Sequence, residues 1–459
     1  MTEKRKLPST FFWGNSVSSM QTEGGWNEDG KSKSVYDIRP ATDKVSDWHF
    51  ANDNYHHFDE DLDLMQDLGM TMYRFSVSWS RVIKDGDGEV NQKALDFYDR
   101  LVDGCLKRGI QPMICLYHFD MPLHLAEKYN GFLSKETCEV FIRYGKVLVD
   151  HFSDRVKYWI TFNEQNLYSQ PGAFRIAGVM KKDNSVSDLY QIAHNVMYCH
   201  ASIANYIHEK TDCKIGGMLA YSEVYPASPN PDDVLLTHRY EEFINNNLLD
   251  VFAYGKYSTA VTHYVKSHHL NVQVTDQEME QLNKCRSDFL AFSYYQSRTL
   301  DSTKIPVDAV PNYYMNYGDK ANPYLPESEW HWSIDPQGLR DVLNKIYLRY
   351  HIPVFPIENG IGLREHWDGK HEIQDDERIK YMRTHIIATK EAIEEDGVDV
   401  LGYLGWGLID ILSSSGDMEK RYGVVYVNRT NHDLKDMKRV PKKSYHWLKQ
   451  VIHSNGQEM

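Results

Sequence analysis

Two glutamates stand where chemistry is most readily done. Glu164 ends the run Thr161-Phe162-Asn163-Glu164, and Glu358 opens Glu358-Asn359-Gly360 after Val354–Ile357. Each follows a short apolar segment of β-forming residues. They are far apart in sequence, so only folding can bring them together. Two carboxyls in one cavity are the minimum equipment for cleaving a glycosidic bond. One must keep a proton for the leaving oxygen while the other stays ionised and attacks the anomeric carbon. A retaining pair needs its carboxyls about 5–5.5 Å apart. Taken singly, Glu164 is equally a solvated strand end, and Glu358 before Asn-Gly is equally a turn residue. Taken together at the ends of two strands, they are a catalytic pair.

The elements that would position them recur along the chain. Eight β-rich segments are predicted: Phe11–Ser19, Thr71–Trp79, Pro112–Phe119, Val156–Asn163, Lys214–Tyr221, Phe289–Tyr295, Val354–Ile357 and Val400–Trp406. Helical periodicity separates them over Phe58–Leu68, Lys93–Arg108, Lys135–Phe152, Val186–Lys210, Leu235–Phe252, Asp335–Tyr350 and Glu377–Glu395. Alternating strands and helices predict parallel pairing. Eight such units predict an α/β fold, a closed (β/α)8 TIM barrel, as a single domain over residues 1–459. The βα loops Tyr36–Asn54, Gln165–Asp183 and Ser297–Ser333 are enlarged. Active sites of such barrels lie at the C-terminal ends of the strands. Gln21 and Glu23, Arg74, His118, Glu164, Tyr295, Glu358 and Trp406 all fall there.

Composition narrows the partners. The 459 residues are 41% hydrophobic and 25% charged, with a formal net charge of -14. That balance speaks against nucleic acid and anionic membrane surfaces. Aromatics reach 13%, which suits stacking on sugar faces as well as a large core. The six cysteines are scattered without a zinc-type pair, which predicts free thiols in a reducing compartment. The polar start, Met1 to Lys6, lacks an apolar leader, and no run is long enough to span a bilayer. The reading is a cytoplasmic protein without metal or organic cofactor, and it leaves room for a homo-oligomer.

Several further motifs stand in register with the carboxyl pair. They are Phe12-Trp13-Gly14, Gln21-x-Glu23-Gly24, Tyr73-Arg74-Phe75-Ser76, Ser78-Trp79-Ser80-Arg81 and Tyr117-His118-Phe119-Asp120-Met121-Pro122. With Thr161–Glu164 and Glu358–Gly360 they make the chain resemble glycoside hydrolase family 1, from Phe11 to about Trp447. The resemblance implies retaining hydrolysis of β-glycosides, with Glu164 as acid/base and Glu358 as nucleophile. It implies Arg74 and Tyr295 as the groups that keep Glu358 ionised, and Gln21, His118, Asn163 and Trp406 as sugar ligands. Trp332 resembles the family's aglycone-side tryptophan.

The chain departs from plain β-glucosidases after the eighth strand. Ser413 stands where they carry a sugar-binding glutamate. Ser413, Lys420 and Tyr422 match the phosphate-binding set of the 6-phospho-glycosidase branch. The substitution is sound chemically, since a glutamate would repel a phosphate of about -1.5 to -2 charges. A lysine and two hydroxyls attract it. Ser414 is small where galactose-type enzymes carry tryptophan, which implies a 6-phospho-β-glucoside substrate. Unphosphorylated β-glucosidase and 6-phospho-β-galactosidase are the alternatives within the class, and a catalytically retired sugar-binding barrel is the remote one. Ser293 replaces the asparagine of many plain β-glucosidases, so an amide partner near Glu164 is lost.

Overall fold

The computed structural model describes residues 7–459. Eight strands form one parallel sheet: β1 (Phe12–Ser16), β2 (Met72–Ser76), β3 (Gln111–Tyr117), β4 (Tyr158–Phe162), β5 (Lys214–Ala220), β6 (Phe289–Tyr294), β7 (Val354–Asn359) and β8 (Gly402–Trp406). Neighbours in space are neighbours in sequence, except that β8 also pairs with β1, Phe12 facing Gly402. A parallel bridge between Val354 and Val400 closes β7 against the chain entering β8. Leu401 N–H donates to Val354 C=O across it at 3.0 Å. The result is the (β/α)8 barrel.

Side chains alternate across a strand, so every second residue faces the barrel interior. The interior is filled by Met72, Met113, Cys115, Ile160, Met218, Phe289, Phe355, Ile357 and Leu404, all buried. Unbranched, sulfur-bearing side chains adapt to the irregular space inside a tapering barrel. Two residues beyond Met72 on the same face stands Arg74, and two beyond Ala291 stands Ser293. The inward face therefore turns from apolar to polar toward the C-terminal rim.

β7 breaks the alternation. Phe292 pairs with Pro356, yet Ser293 pairs with Glu358, a register shift that gives β7 one extra residue, Ile357. Such a bulge re-aims the side chain that follows it. Ile357 packs in the interior, and the next residue, Glu358, also reaches inward to Arg74. The strand continues through Asn359, two residues past the predicted end.

Helices cover the barrel outside. Lys135–Phe152 and Val186–Lys210 form with their predicted bounds, the second opening on a Ser185/Asp188 capping box. The predicted helix Leu235–Phe252 is instead two α-helices, Pro231–Glu241 and Asn247–Tyr254, joined by a π turn at 242–246. Asn230 and Pro231 start it early, and a π turn leaves no periodicity signal in sequence. Predicted β1 overran its end, because Ser19–Thr22 is a helical turn. A C-terminal helix, Lys443–His453, lies against helix Asn54–Leu68, where Tyr445 donates to Asp67. All six cysteines are unpaired and buried. Among the described residues no helix is long and apolar enough to cross a membrane.

Candidate active site

Glu358 is held from two sides at the rim. Arg74 Nη1 donates to its Oε1 at 2.6 Å and the Tyr295 hydroxyl donates to its Oε2 at 2.9 Å. Arg74 Nη2 donates to Asn163 Oδ1, also at 2.6 Å. Arg74 is wholly buried and Glu358 is 2% exposed. A buried ion pair is a weak source of stability, because desolvation offsets its attraction. Its place at the mouth of a barrel is better explained by chemistry. Burial raises the Glu358 carboxyl above its ordinary pKa, while Arg74 and Tyr295 pull it down.

Glu164 is set differently. It follows β4 with φ 45° and ψ 57°, the left-handed region that a glutamate rarely adopts. Such strain costs about 1–3 kcal/mol and collects at functional positions. Its N–H donates to Met218 Sδ at 3.3 Å. Its carboxyl accepts from Ser293 Oγ at 2.5 Å and, among the described residues, has no guanidinium partner. The residue is half-buried, bordering a cavity. Burial, then the negative field of Glu358, pushes it up to about 8, with Ser293 and Arg74 opposing. Of the two carboxyls, the proton therefore belongs to Glu164. The amide expected to be missing at Ser293 is replaced by a hydroxyl bonded directly to Glu164.

Around this pair the other predicted sugar ligands gather. Asn163 is joined to Glu358 through Arg74. His118 stacks on Trp406 with ring centroids 5.6 Å apart. Burial and the field of Arg74 keep His118 well below its usual pKa, hence neutral. Its Nδ1 is buried without a hydrogen-bond partner among the described residues. Gln21 Nε2 donates to Leu412 C=O at 2.8 Å, and its Oε1 accepts from Ser18. It thereby ties the first βα turn to the loop that carries Ser413. Trp332 stands on the other side, 5.8 Å from the Tyr295 ring. It lines a cavity of about 320 Å³ together with Glu164, Ser293, Tyr295, Tyr221 and Leu167.

The three residues read as a phosphate set lie on one loop. Lys420 Nζ sits 3.6 Å from the Trp332 ring centroid, 5.1 Å from Trp330 and 5.6 Å from Tyr422. Lys420 is only 6% exposed. Among the described residues no carboxylate lies within ion-pair distance of it. Burial lowers it to about 8, against the weaker pull of Asp417. Tyr422 packs beside Tyr295, centroids 6.3 Å apart. Ser413 is buried, its hydroxyl 2.9 Å from that of Ser415 and accepting from Asp417 N–H at 3.0 Å. Trp330 has no precursor in the sequence reading, since a loop tryptophan carries no local signal of its partner.

A buried charge network supports these loops. Asp410 accepts from Arg421, Lys442 and Gly423 N–H. Arg378 donates to the carbonyls of Ile361, Tyr422 and Arg421 and to Glu365. The segment after Glu358 and the segment around Lys420 are thus fixed to one another. Arg421, beside Lys420 in the sequence, is wholly buried. The visible signal was Asp410, a lone acid inside an apolar run.

A parallel barrel with two unequal carboxyls at its C-terminal rim defines a barrel glycoside hydrolase. The sequence profile of glycosyl hydrolase family 1 matches residues 3–457, and the chain belongs to that family. It is 39% identical to the aryl-phospho-beta-D-glucosidase BglC of Bacillus subtilis, covering 99% of this chain and 98% of that one. It is 37% identical to a 6-phospho-beta-glucosidase of Clostridium longisporum, covering 99% and 98%. Among solved structures, a family 1 beta-glucosidase from Thermotoga maritima superposes with a TM-score of 0.86 at 30% identity, over the full length of both chains.

Proposed function

We propose that this chain is a retaining 6-phospho-β-glucosidase, releasing glucose 6-phosphate from phosphorylated β-glucosides. Glu358, ionised beside Arg74, attacks the anomeric carbon. Glu164 gives its proton to the departing oxygen, and a glycosyl ester on Glu358 results. The loss of negative charge at Glu358 then removes the field that helped raise Glu164. Glu164, now a base, takes a proton from water as that water attacks the same carbon and frees Glu358. Asn163, oriented by Arg74, is suited to the 2-hydroxyl, and Gln21, His118 and Trp406 to the remaining sugar face. The 1–459 chain acts as one catalytic unit.

The observation that carries the phosphate reading is Lys420. A nearly buried ammonium without a carboxylate partner is an unfavourable arrangement unless an anion visits it. Tyr422 and Ser413 add hydroxyls, and no carboxylate stands at position 413. The names of the two relatives above point to the same substrate class. The gluco configuration rests on Ser414 being small.

The test is hydrolysis of 4-nitrophenyl β-glucoside with and without a 6-phosphate. The phosphorylated substrate is expected to show a kcat/KM at least 100-fold higher. Comparable values for both would overturn the phosphate reading while leaving the glycosidase.

A further inference from the structure

Gly362 lies four residues after Glu358, beside the stem of Lys420. A Cβ at this position would stand 2.6 Å from Lys420 Cγ, 2.7 Å from Cε and 3.2 Å from Cδ. Carbon atoms do not approach so closely, so one of them would have to move. Gly362 is not among the glycines with positive φ. Its use here is therefore room, not dihedral freedom. Gly360 in the same run differs, for a Cβ there would meet its nearest neighbour, Tyr422 Cδ1, at an ordinary 3.4 Å.

The two backbones cannot retreat from the contact, so the lysine side chain must give way. Leu363 and Arg421 exchange both backbone hydrogen bonds, at 2.9 and 3.1 Å, which clamps the two segments side by side. Arg378 adds bonds to the carbonyls of Ile361, Arg421 and Tyr422. Opposite Gly362 the lysine end is enclosed by Trp332, Trp330 and Tyr422. A methyl on residue 362 would displace the ammonium.

We propose that Gly362 is a specificity-determining position, the slot that sets where Lys420 presents its charge to the substrate's phosphate. This rests on Lys420 being a phosphate ligand, as proposed above. Gly362 acts through Lys420 and is a positioning residue.

The test uses Gly362→Ala, Lys420→Ala and the double variant, each assayed with 4-nitrophenyl β-glucoside and its 6-phosphate. The readout is the ratio of the two kcat/KM values. Gly362→Ala is expected to lower that ratio at least tenfold, through KM for the phosphorylated substrate. In the Lys420→Ala background the same change should leave the ratio alone, because residues acting as one unit are not additive. An unchanged ratio in Gly362→Ala, with a lowered one in Lys420→Ala, would refute the role of Gly362 and spare the phosphate reading. An unchanged ratio in Lys420→Ala would refute both. Should Gly362→Ala fold poorly, the double variant decides: it lacks the stem that the methyl meets, so its melting temperature should return to that of Lys420→Ala. A double variant as unstable as the single one places the clash elsewhere and ends the proposal.

Discussion

Glu164 and Glu358 are chemically identical, and their neighbours alone divide the labour between them. A guanidinium and a phenol serve one; a serine hydroxyl serves the other. With Glu164 at about 8, kcat/KM for an unphosphorylated aryl glucoside should fall as pH rises through about 8, when the acid loses its proton. For the phosphorylated substrate the fall should be steeper, because Lys420, also lowered to about 8, discharges over the same range. Ser293 donates to the ionised form of Glu164 and so lowers its pKa. Ser293→Ala should therefore move the alkaline limb to higher pH, which a pH–rate profile on the unphosphorylated substrate would read. A shift to lower pH would contradict the hydrogen bond's assigned effect.

At the scale of the strand, the rim does not obey one rule. On β2 and β6 the inward period of two runs unbroken to Arg74 and Ser293. On β7 the bulge at Ile357 advances the phase by one residue, and the side chain it redirects is Glu358. β5 shows how little slack the barrel wall has. Adjacent glycines there face opposite sides, a Cβ on Gly216 falling 2.3 Å from the Phe289 ring inside and one on Gly217 falling 2.2 Å from Phe252 outside. Gly216→Ala should overpack the interior and cost about 1–3 kcal/mol. Calorimetry should show a lowered melting temperature, and an unchanged value would mean that Phe289 has room to turn.

Across the whole molecule, a net charge of -14 surrounds a site read as binding an anion. Attraction must therefore be local, and the positive residues near the eighth strand are deeply placed. Arg421 and Lys442 are both buried against Asp410. Burial by itself would raise the Asp410 pKa, but Lys442, Arg421 and Arg378 hold it below the ordinary value. Its contribution to stability is then complete above about pH 4, the usual carboxylate range, and is lost as pH falls through the folded-state pKa. Asp410→Ala would leave the buried Arg421 without its carboxylate, while Lys442 keeps Glu365. Breaking a buried pair in this way costs about 3–5 kcal/mol, and a drop of that order is expected in denaturant unfolding. A loss below 1 kcal/mol would show that water reaches the cluster.

Periodicity and motif order were enough to predict the barrel and its family, because eight alternating strand and helix patterns admit few topologies. They also marked both glutamates, since strand ends are readable from the polar break after an apolar run. What alternation along a strand does not encode is a bulge, and the inward turn of Glu358 depends on one. Nor does local sequence encode a partner far along the chain. Arg74 against Glu358, Ser293 against Glu164 and the lysine slot at Gly362 are all such pairings. They exist only once distant segments are packed, for electrostatic bias and steric room are properties of neighbours in space.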